Sequence, residues 1–427
     1  MNMFMKRSYG RTRTRLRTLC LLCMCVMAPV AMAQQVDTLL KGGHVIDPKN
    51  GHNQLLDVAI SDGIIVDVAR NLPASSAEKV IDVTGLIVTP GIIDMHAHFG
   101  NYHPRFPPDG FTFRSGVTTV VDGGSVGWRN YDLIKDVVET SRTRVLAFLA
   151  IVGHKGQLEG NHGTLLMSDM SEYDPVMAAG KVRQNREVLV GIKVWKSPNF
   201  EGIERAVEAG RLADVPVMID FGQAEPPMSL SRLLLEVFRP GDIYTHAYAY
   251  HPWNREAIVD EEYRVRPHVQ EARDRGIIFD VGHGGGAFSF EGAVPAMQQG
   301  FHPDVISTDL HRNSMNGGAK DMANTMSKFL AMGMPLVDVI EASTWKPAQV
   351  IQREELGNLD IGAEADVAVF ELQEGDFGYL DVRNRLLKGD RKLHPELTIR
   401  AGDVVWDLNG RAGIPWREGL SVPDFGP

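Results

Sequence analysis

The hydrophobic positions of the chain divide it into two β-rich ends and an alternating middle. At the amino end, alternating apolar and polar residues predict strands over 37–45, 56–61, 64–69 and 79–82. Asp62 and Gly63 separate two of these runs, and Asp-Gly at such a place favours a β-hairpin. The segments 357–370 and 397–408 have a similar pattern near the carboxyl end. We therefore expect the two ends to pair into one small discontinuous domain, a β-sandwich.

The middle of the chain predicts strands that alternate with helices. Apolar runs indicate eight strands over 92–99, 118–123, 144–152, 189–195, 216–221, 241–248, 276–282 and 304–309. Helical stretches fall between most of them, for example over 201–213, 229–238 and 267–275. This alternation over about 260 residues predicts an α/β fold, a (β/α)8 TIM barrel with its chemistry at the carboxyl ends of the strands. The expected domains are 34–90 with 353–427 for the β-sandwich, and 91–352 for the barrel.

The first 33 residues differ from the rest of the sequence. Six lysines and arginines precede an apolar run over 19–32, and Ala-Met-Ala at 31–33 is a typical cleavage signal. The run is short for a membrane span, which needs about 20 apolar residues. The pattern predicts a cleaved signal peptide over 1–33 and a periplasmic or secreted protein, with a retained anchor as the alternative.

Removal of this leader changes the chemistry available to the chain. The leader holds all three cysteines, so any metal in the mature chain must be bound through nitrogen and oxygen. It also holds six of the 44 basic residues and none of the 54 acidic ones, which leaves a formal charge of −16. That charge argues against nucleic acid and anionic membranes as partners and favours a small-molecule substrate. The sequence leaves a homo-oligomer open.

Two histidines at the end of the first predicted barrel strand are the strongest chemical signal. Alternate side chains of a strand point to the same face, so His96 and His98 face one way. Two imidazoles at the end of one strand form half of a metal site. The alternative is an ordinary pair of surface or stacked histidines.

Other predicted barrel strands also carry polar residues at the expected active edge. Lys193 lies among apolar neighbours in the fourth strand, where a bare ammonium is costly to bury. It needs either an ion pair with an acid or carboxylation by CO2, which would make it an anionic oxygen ligand. The later strands end in further polar residues: Asp220, His246, His283 and Asp309.

These segments together resemble the amidohydrolase superfamily, in particular the deacetylase, dihydroorotase, hydantoinase and D-aminoacylase group. The similarity covers nearly all of residues 36–410. It rests on the segments 90–98 (PGIIDMHAH), 191–193 (GIK), 245–246 (TH), 280–284 (DVGHG), 307–309 (STD), 342–348 (ASTWKPA) and 362–368 (GAEADVA).

The resemblance implies a role for each matching residue. His96 and His98 match ligands of the more buried metal ion, and Lys193 matches a carboxylated lysine that bridges two ions. His246 matches a ligand of the more exposed ion. Asp309 matches the aspartate that binds the buried ion and acts as the catalytic proton shuttle. The ions implied are one or two Zn²⁺, with Mn²⁺ or Fe²⁺ as alternatives.

Three further residues are expected near the substrate. His283 matches a position beside the substrate and is a second catalytic candidate, since it would polarise the scissile carbonyl. The alternative is a structural histidine in a glycine-rich loop. Arg105 and His154 are further substrate-binding candidates near the mouth of the barrel, although the spacing of neither forces this role.

One position departs from the family pattern. The fifth strand normally ends in a histidine that binds the second ion, whereas this chain has Asp220. A carboxylate binds Zn²⁺ at a similar distance, so Asp220 could replace that ligand. It could equally pair with Lys193 and leave a site for one ion.

We therefore expect an exported, metal-dependent amidohydrolase in which metal-activated water hydrolyses an amide or ester bond of a small molecule. The leading interpretation is an N-acyl or O-acyl deacylase. A cyclic amide hydrolase and a catalytically impaired barrel that only binds a small molecule are the alternatives.

Overall fold

The computed structural model describes residues 35–99, 107–154, 169–195, 197, 199–220, 228–251 and 255–418. The predicted leader and Arg105 lie outside these ranges. Within them, no helix is both long and apolar enough to cross a membrane. The strands are β1 (Val36–Asp47), β2 (His52–Ser61), β3 (Ile64–Ala69), β4 (Ala77–Asp82), β5 (Ile87–Pro90), β6 (Ile92–Ala97), β7 (Val117–Asp122), β8 (Arg144–Ala150), β9 (Leu189–Trp195), β10 (Val217–Asp220), β11 (Ile243–Thr245), β12 (Ile278–Phe279), β13 (Val367–Leu380), β14 (Leu386–Arg400) and β15 (Asp403–Asp407).

Helices fill most of the connections in the middle of the chain. The α-helices span Asp109–Thr112, Lys135–Thr140, Pro175–Gln184, Phe200–Ala213, Leu230–Arg232, Pro267–Asp274, Phe290–Gln298, Met322–Ala331, Leu336–Glu341 and Trp345–Val350. Short 3-10 turns lie at Ala74–Ser76, Phe113–Ser115, Tyr131–Ile134 and Met170–Glu172, and Leu233–Val237 is a π-helical turn.

The middle strands form one parallel sheet. β6 to β12 are hydrogen-bonded in sequence order. Every residue of β6 and β7 is buried, as expected for parallel strands covered on both faces. Segment 304–310 lies between the two edges of this sheet. Single bridges join Asp280 to Val305 and Ala97 to Leu310, and the His98 amide donates to the Leu310 carbonyl at 2.8 Å.

The eighth predicted strand, 304–309, does not form a continuous strand. Asp309 has a φ of 45°, in the left-handed region that interrupts an extended chain. Its amide donates to the His96 carbonyl at 2.6 Å, so the segment still follows β6. The predicted parallel α/β architecture is confirmed, with seven regular strands and one irregular segment.

The two chain ends pair as the alternating pattern predicts. Their sheet has the order β15-β14-β13-β5-β1-β2-β3, with β4 beside β1. The antiparallel pairing of β13 with β5 joins the carboxyl end to the amino end. Asp62 and Gly63 have φ values of 50° and 76° and form the predicted turn between β2 and β3. Across the described strands, hydrogen bonds unite these elements in one sheet. Buried side chains from both ends of this sheet, such as Val58 and Leu397, share one hydrophobic core.

Strands β13 and β14 extend far beyond the predicted segments and form a long hairpin. The middle of this hairpin packs on the helix Met322–Ala331, where the Leu393 amide donates to Ser327 Oγ at 3.0 Å. Its tip reaches the loop that follows β12. There the Val382 amide donates to the Phe288 carbonyl at 3.2 Å. The end sheet therefore supports the carboxyl side of the barrel sheet.

A cluster of four charged side chains fixes the end sheet to the start of β8. Arg144 Nη1 lies 2.8 Å from Asp366 Oδ2, and Arg400 Nη1 lies 3.2 Å from Asp366 Oδ1. Both arginines also pair with Glu364. Asp366 is mostly buried and bridges the two cations, so we expect it to contribute substantially to the stability of the fold.

Replacing this bridging carboxylate tests that expectation. Asp366→Ala leaves two guanidinium groups with one shared carboxylate in a partly buried place, and the free energy of unfolding should fall by about 3 kcal/mol. Urea denaturation followed by circular dichroism measures the loss. Asp376→Ala removes a similar but exposed contact with Lys388, at 2.9 Å, and should leave the midpoint nearly unchanged. Equal midpoints for the two variants would contradict a stabilising role for the cluster.

Candidate metal centre

The predicted site residues converge at the carboxyl edge of the barrel sheet. Imidazole nitrogens of His96 and His98 and a carboxylate oxygen of Asp309 all lie within 4.8 Å of one another. His98 Nε2 is 3.1 Å from Asp309 Oδ1, and His96 Nε2 is 3.7 Å from the same atom. Two ligands about 2.1 Å from one ion in tetrahedral geometry are about 3.4 Å apart. The three side chains therefore fit around a single divalent ion.

Hydrogen bonds behind His96 fix the orientation of its ring. Its Nδ1 lies 3.0 Å from Thr245 Oγ1, which donates to Asp280 Oδ2 at 2.6 Å. Ser307 Oγ donates to the other oxygen of Asp280, also at 2.6 Å. The ring therefore carries its proton on Nδ1 and leaves the Nε2 lone pair for a cation. Burial, together with the charge of Lys193, lowers the pKa of His96 to about 4, so the ring is neutral at neutral pH.

Lys193 is buried beside this group. Its Nζ lies 2.9 Å from His96 Nε2 and 3.2 Å from Met218 Sδ. Among the residues that the structure describes, no carboxylate lies within 4.0 Å of Nζ, so the ion-pair alternative for this lysine has no described partner. Burial lowers the pKa of the amine, against the opposing charges of Asp220 and Asp309. A lowered pKa favours the neutral amine, which is the form that reacts with CO2.

Asp220 and His246 form a second potential ligand pair. Asp220 Oδ2 is 3.6 Å from His246 Nε2, again a separation that suits two ligands of one ion. His246 Nδ1 donates to the Gly282 carbonyl at 2.5 Å, which leaves Nε2 directed at Asp220. Burial opposes both charges, yet the carboxylate raises the pKa of His246, and His246 and Lys193 hold the pKa of Asp220 below its usual range.

Asp309 combines a low pKa with partial access to solvent. Although burial acts in the opposite direction, the neighbouring imidazoles of His96, His98 and His246 hold the pKa of its carboxyl below the usual range. The side chain of Asp309 is 14% exposed, and those of His98 and Asp220 are exposed to a similar extent. The side chain of His96 is only 1% exposed. The centre is therefore accessible from the Asp309 side.

The other predicted site residues are placed differently. His283 is fully buried, and both ring nitrogens have protein partners: the Gly284 carbonyl at 2.9 Å and Lys328 Nζ at 2.6 Å. This geometry supports the structural alternative for His283, because a residue that polarises a substrate needs a ring nitrogen directed at it. His154 is 47% exposed, and its Nδ1 lies 3.6 Å from Glu172 Oε2. It lines a surface cavity of about 550 Å³ with Trp128, and no described contact joins it to the metal group.

The structure adds residues to which sequence reasoning gave no role. Thr245, Asp280 and Ser307 orient His96, while Asp94 accepts hydrogen bonds from the Thr308 amide at 3.0 Å and its hydroxyl at 2.5 Å. His311 Nδ1 donates to the Asp309 carbonyl at 2.9 Å. Asp94 is a carboxylate within the apolar strand β6, and a polar residue in such a strand is the sequence signal that could have identified it.

Close packing of the metal group against backbone requires glycine at position 123. A Cβ built there would lie 2.7 Å from His96 Cδ2 and 2.9 Å from His98 Cε1. Both imidazoles therefore pack directly against the backbone that follows β7.

Adding one methyl group tests this packing. Gly123→Ala should displace both rings and weaken Zn²⁺ binding by about 10-fold or more, because ligand geometry controls affinity. Competition with a chromophoric chelator measures the affinity. Gly180→Ala, at a helix position with no atom within 4 Å of the new methyl, serves as the control. Wild-type affinity in Gly123→Ala would show that the two rings do not hold the ion.

Comparison with known proteins identifies the family. Residues 289–405 match the amidohydrolase family. A deacetylase of Agrobacterium fabrum is 32% identical over 367 residues, which cover 84% of this chain and 88% of the relative. The structure is similar to the crystal structure of an adenine deaminase, with a TM-score of 0.79 and 27% identity over 88% of this chain and all of that one. It is also similar to a dihydroorotase, with a TM-score of 0.75 and 28% identity over 87% and 99% of the two chains. The chain therefore belongs to the amidohydrolase family and is a hydrolase that acts on carbon–nitrogen bonds.

Proposed function

We propose that the protein is a metal-dependent deacylase that removes an acyl group from the nitrogen or oxygen of a small molecule. The observation that carries the proposal is the convergence of His96, His98 and Asp309 at an accessible edge of the barrel sheet. The long alignment with the Agrobacterium deacetylase supports deacylation over the other reactions of the family.

The proposed ligands form two groups. His96, His98 and Asp309 would hold one ion, and Asp220 with His246 a second. Lys193, once carboxylated, would contribute an oxygen to both. The donor set is nitrogen and carboxylate oxygen, which suits Zn²⁺ and also Mn²⁺ or Fe²⁺. Asp220 in place of the family histidine keeps a ligand atom at the position but adds a negative charge.

When bound, such an ion lowers the pKa of a coordinated water toward about 7 and polarises a carbonyl. The chain's own contribution is proton transfer by Asp309. Its carboxylate is ionised at neutral pH and partly exposed, so it can accept the proton of the attacking water. It would then return this proton to the leaving nitrogen or oxygen.

A cyclic amide hydrolase is the second candidate, and the similarity to a dihydroorotase structure favours it. It would use the same centre and differ in the loops that receive the substrate. Predicted export over 1–33 supports deacylation or scavenging outside the cytoplasm. With a formal charge of −16 after removal of the leader, we propose a small-molecule substrate and no nucleic-acid partner.

The function is tested with two substrate panels on protein purified in bicarbonate and supplied with Zn²⁺. We expect turnover of N-acetyl amino acids or acetyl esters, and little or none of hydantoins and dihydroorotate. Removal of metal with a chelator should abolish turnover, and Zn²⁺ should restore it. Turnover of only the cyclic amides would favour the second candidate. Activity that survives complete metal removal would contradict both.

The proton-transfer role of Asp309 predicts a large effect of an isosteric change. Asp309→Asn should lower kcat by at least 100-fold, because the amide cannot accept the proton. Steady-state kinetics and far-UV circular dichroism measure activity and fold. Asp304→Asn is the control, because this aspartate begins the same segment and accepts from the Phe279 amide at 2.8 Å. It should retain most activity. More than about a tenth of the wild-type rate in Asp309→Asn would contradict the role.

A further inference from the structure

A second buried lysine lies behind the metal centre and has no part in the mechanism above. Lys328 belongs to the helix Met322–Ala331 and is fully buried. Its Nζ lies 2.6 Å from His283 Nε2 and donates to the Gly318 carbonyl at 2.6 Å. Burying an amine is costly, so this arrangement needs a reason.

The hydrogen bonds define the protonation of the pair. His283 Nδ1 faces the Gly284 carbonyl, which can only accept, so Nδ1 carries the ring proton. Nε2 must then accept from the amine of Lys328. Burial and the neighbouring charge of Lys328 hold the pKa of His283 well below its usual value, which agrees with a neutral ring. Phe288 stacks on this ring with 4.6 Å between the centroids.

The backbone on either side of His283 touches both groups of proposed metal ligands. The carbonyl of Gly282 accepts the hydrogen bond that orients His246. On the other side, a Cβ built at Gly284 would lie 2.3 Å from Asp309 Oδ2, so the backbone there abuts the carboxylate. His283 is the side chain between these two contacts, and Lys328 is its anchor.

We propose that Lys328 and His283 are positioning residues that fix segment 282–284 and, through it, the orientation of His246 and Asp309. The inference rests on the proposed metal-dependent function. Without the amine, His283 Nε2 loses its partner in a buried place, and the ring must turn or find another donor. The segment would shift with the ring, and both ligands would follow. Supporting contacts of this kind typically change metal affinity by about 10–100-fold.

The test replaces the amine with an apolar group of similar length. Lys328→Met should bind Co²⁺ about 10–100-fold more weakly than wild type. Its visible Co²⁺ absorption spectrum should change, since this spectrum reports ligand geometry at the ion. In the Zn²⁺ form, kcat should fall by a similar factor while KM changes by less than about threefold, because substrate contacts are untouched.

Leu330→Ala is the matched control for a merely structural role. Leu330 lies on the same helix and is buried in the hydrophobic core, so its truncation should lower the melting temperature. Its Co²⁺ spectrum and kcat should match those of wild type. If Lys328→Met also loses only thermal stability, the positioning role is overturned.

A double variant keeps the test decisive if Lys328→Met does not fold. His283→Phe with Lys328→Met removes both polar partners and leaves no unsatisfied imidazole. It should fold and show an altered Co²⁺ spectrum, and a wild-type spectrum would overturn the proposal. If the wild-type chain takes up no Co²⁺, the proposed function fails, and the positioning role fails with it. The positioning role fails by itself only when the wild-type chain binds Co²⁺ and the variants keep the wild-type Co²⁺ spectrum.

Discussion

The buried carboxylate of Asp280 is the constraint on which the centre depends. It accepts hydrogen bonds from Thr245 and Ser307, and Thr245 accepts in turn from His96. These residues come from β11, the position directly after β12, segment 304–310 and β6, which are consecutive around the seam where the barrel sheet closes. Backbone hydrogen bonds also cross this seam, among them those from the Gly284 amide to the Thr308 carbonyl and from the His98 amide to the Leu310 carbonyl, each at 2.8 Å. A fully buried carboxylate must satisfy its oxygens, so the side-chain network holds the seam in register. The same hydrogen bonds therefore connect the edges of the barrel sheet and orient His96 Nε2.

Backbone strain is concentrated beside this network. His246 and Asp309 have φ values of 57° and 45°, which cost a non-glycine residue about 1 kcal/mol or more. The left-handed conformation of His246 follows the last residue of β11, and that of Asp309 interrupts segment 304–310. Two contacts stabilise the conformation: the Gly282 carbonyl binds His246, and the His96 carbonyl accepts from the Asp309 amide. The irregular backbone that prevents segment 304–310 from forming a regular strand thus carries Asp309, the proposed proton acceptor.

Sequence patterns predicted most of the fold because burial and periodicity are local properties. Strand β9 was predicted with its observed bounds, and the Asp62–Gly63 turn followed from residue types alone. The long β13–β14 hairpin was missed because its middle is polar and packs on a helix distant in sequence. The same distinction between local and distant features applies to the site. Residues at strand ends were found, whereas the surroundings of His283 were not, because its partner Lys328 is 45 residues away on an unremarkable helix.

The departure at Asp220 has a further consequence for the proposed centre. With a carboxylate there, the charges of His246 and Lys193 act on an anion, and its pKa stays below the usual range. Asp220 therefore places a negative charge at a position where the family pattern has an imidazole. Such a charge strengthens the electrostatic hold on a divalent cation. It also reduces the Lewis acidity of that cation and raises the pKa of a coordinated water. In the proposed centre, the substitution would favour retention of the ion and would make the proton transfer proposed for Asp309 more important for the rate.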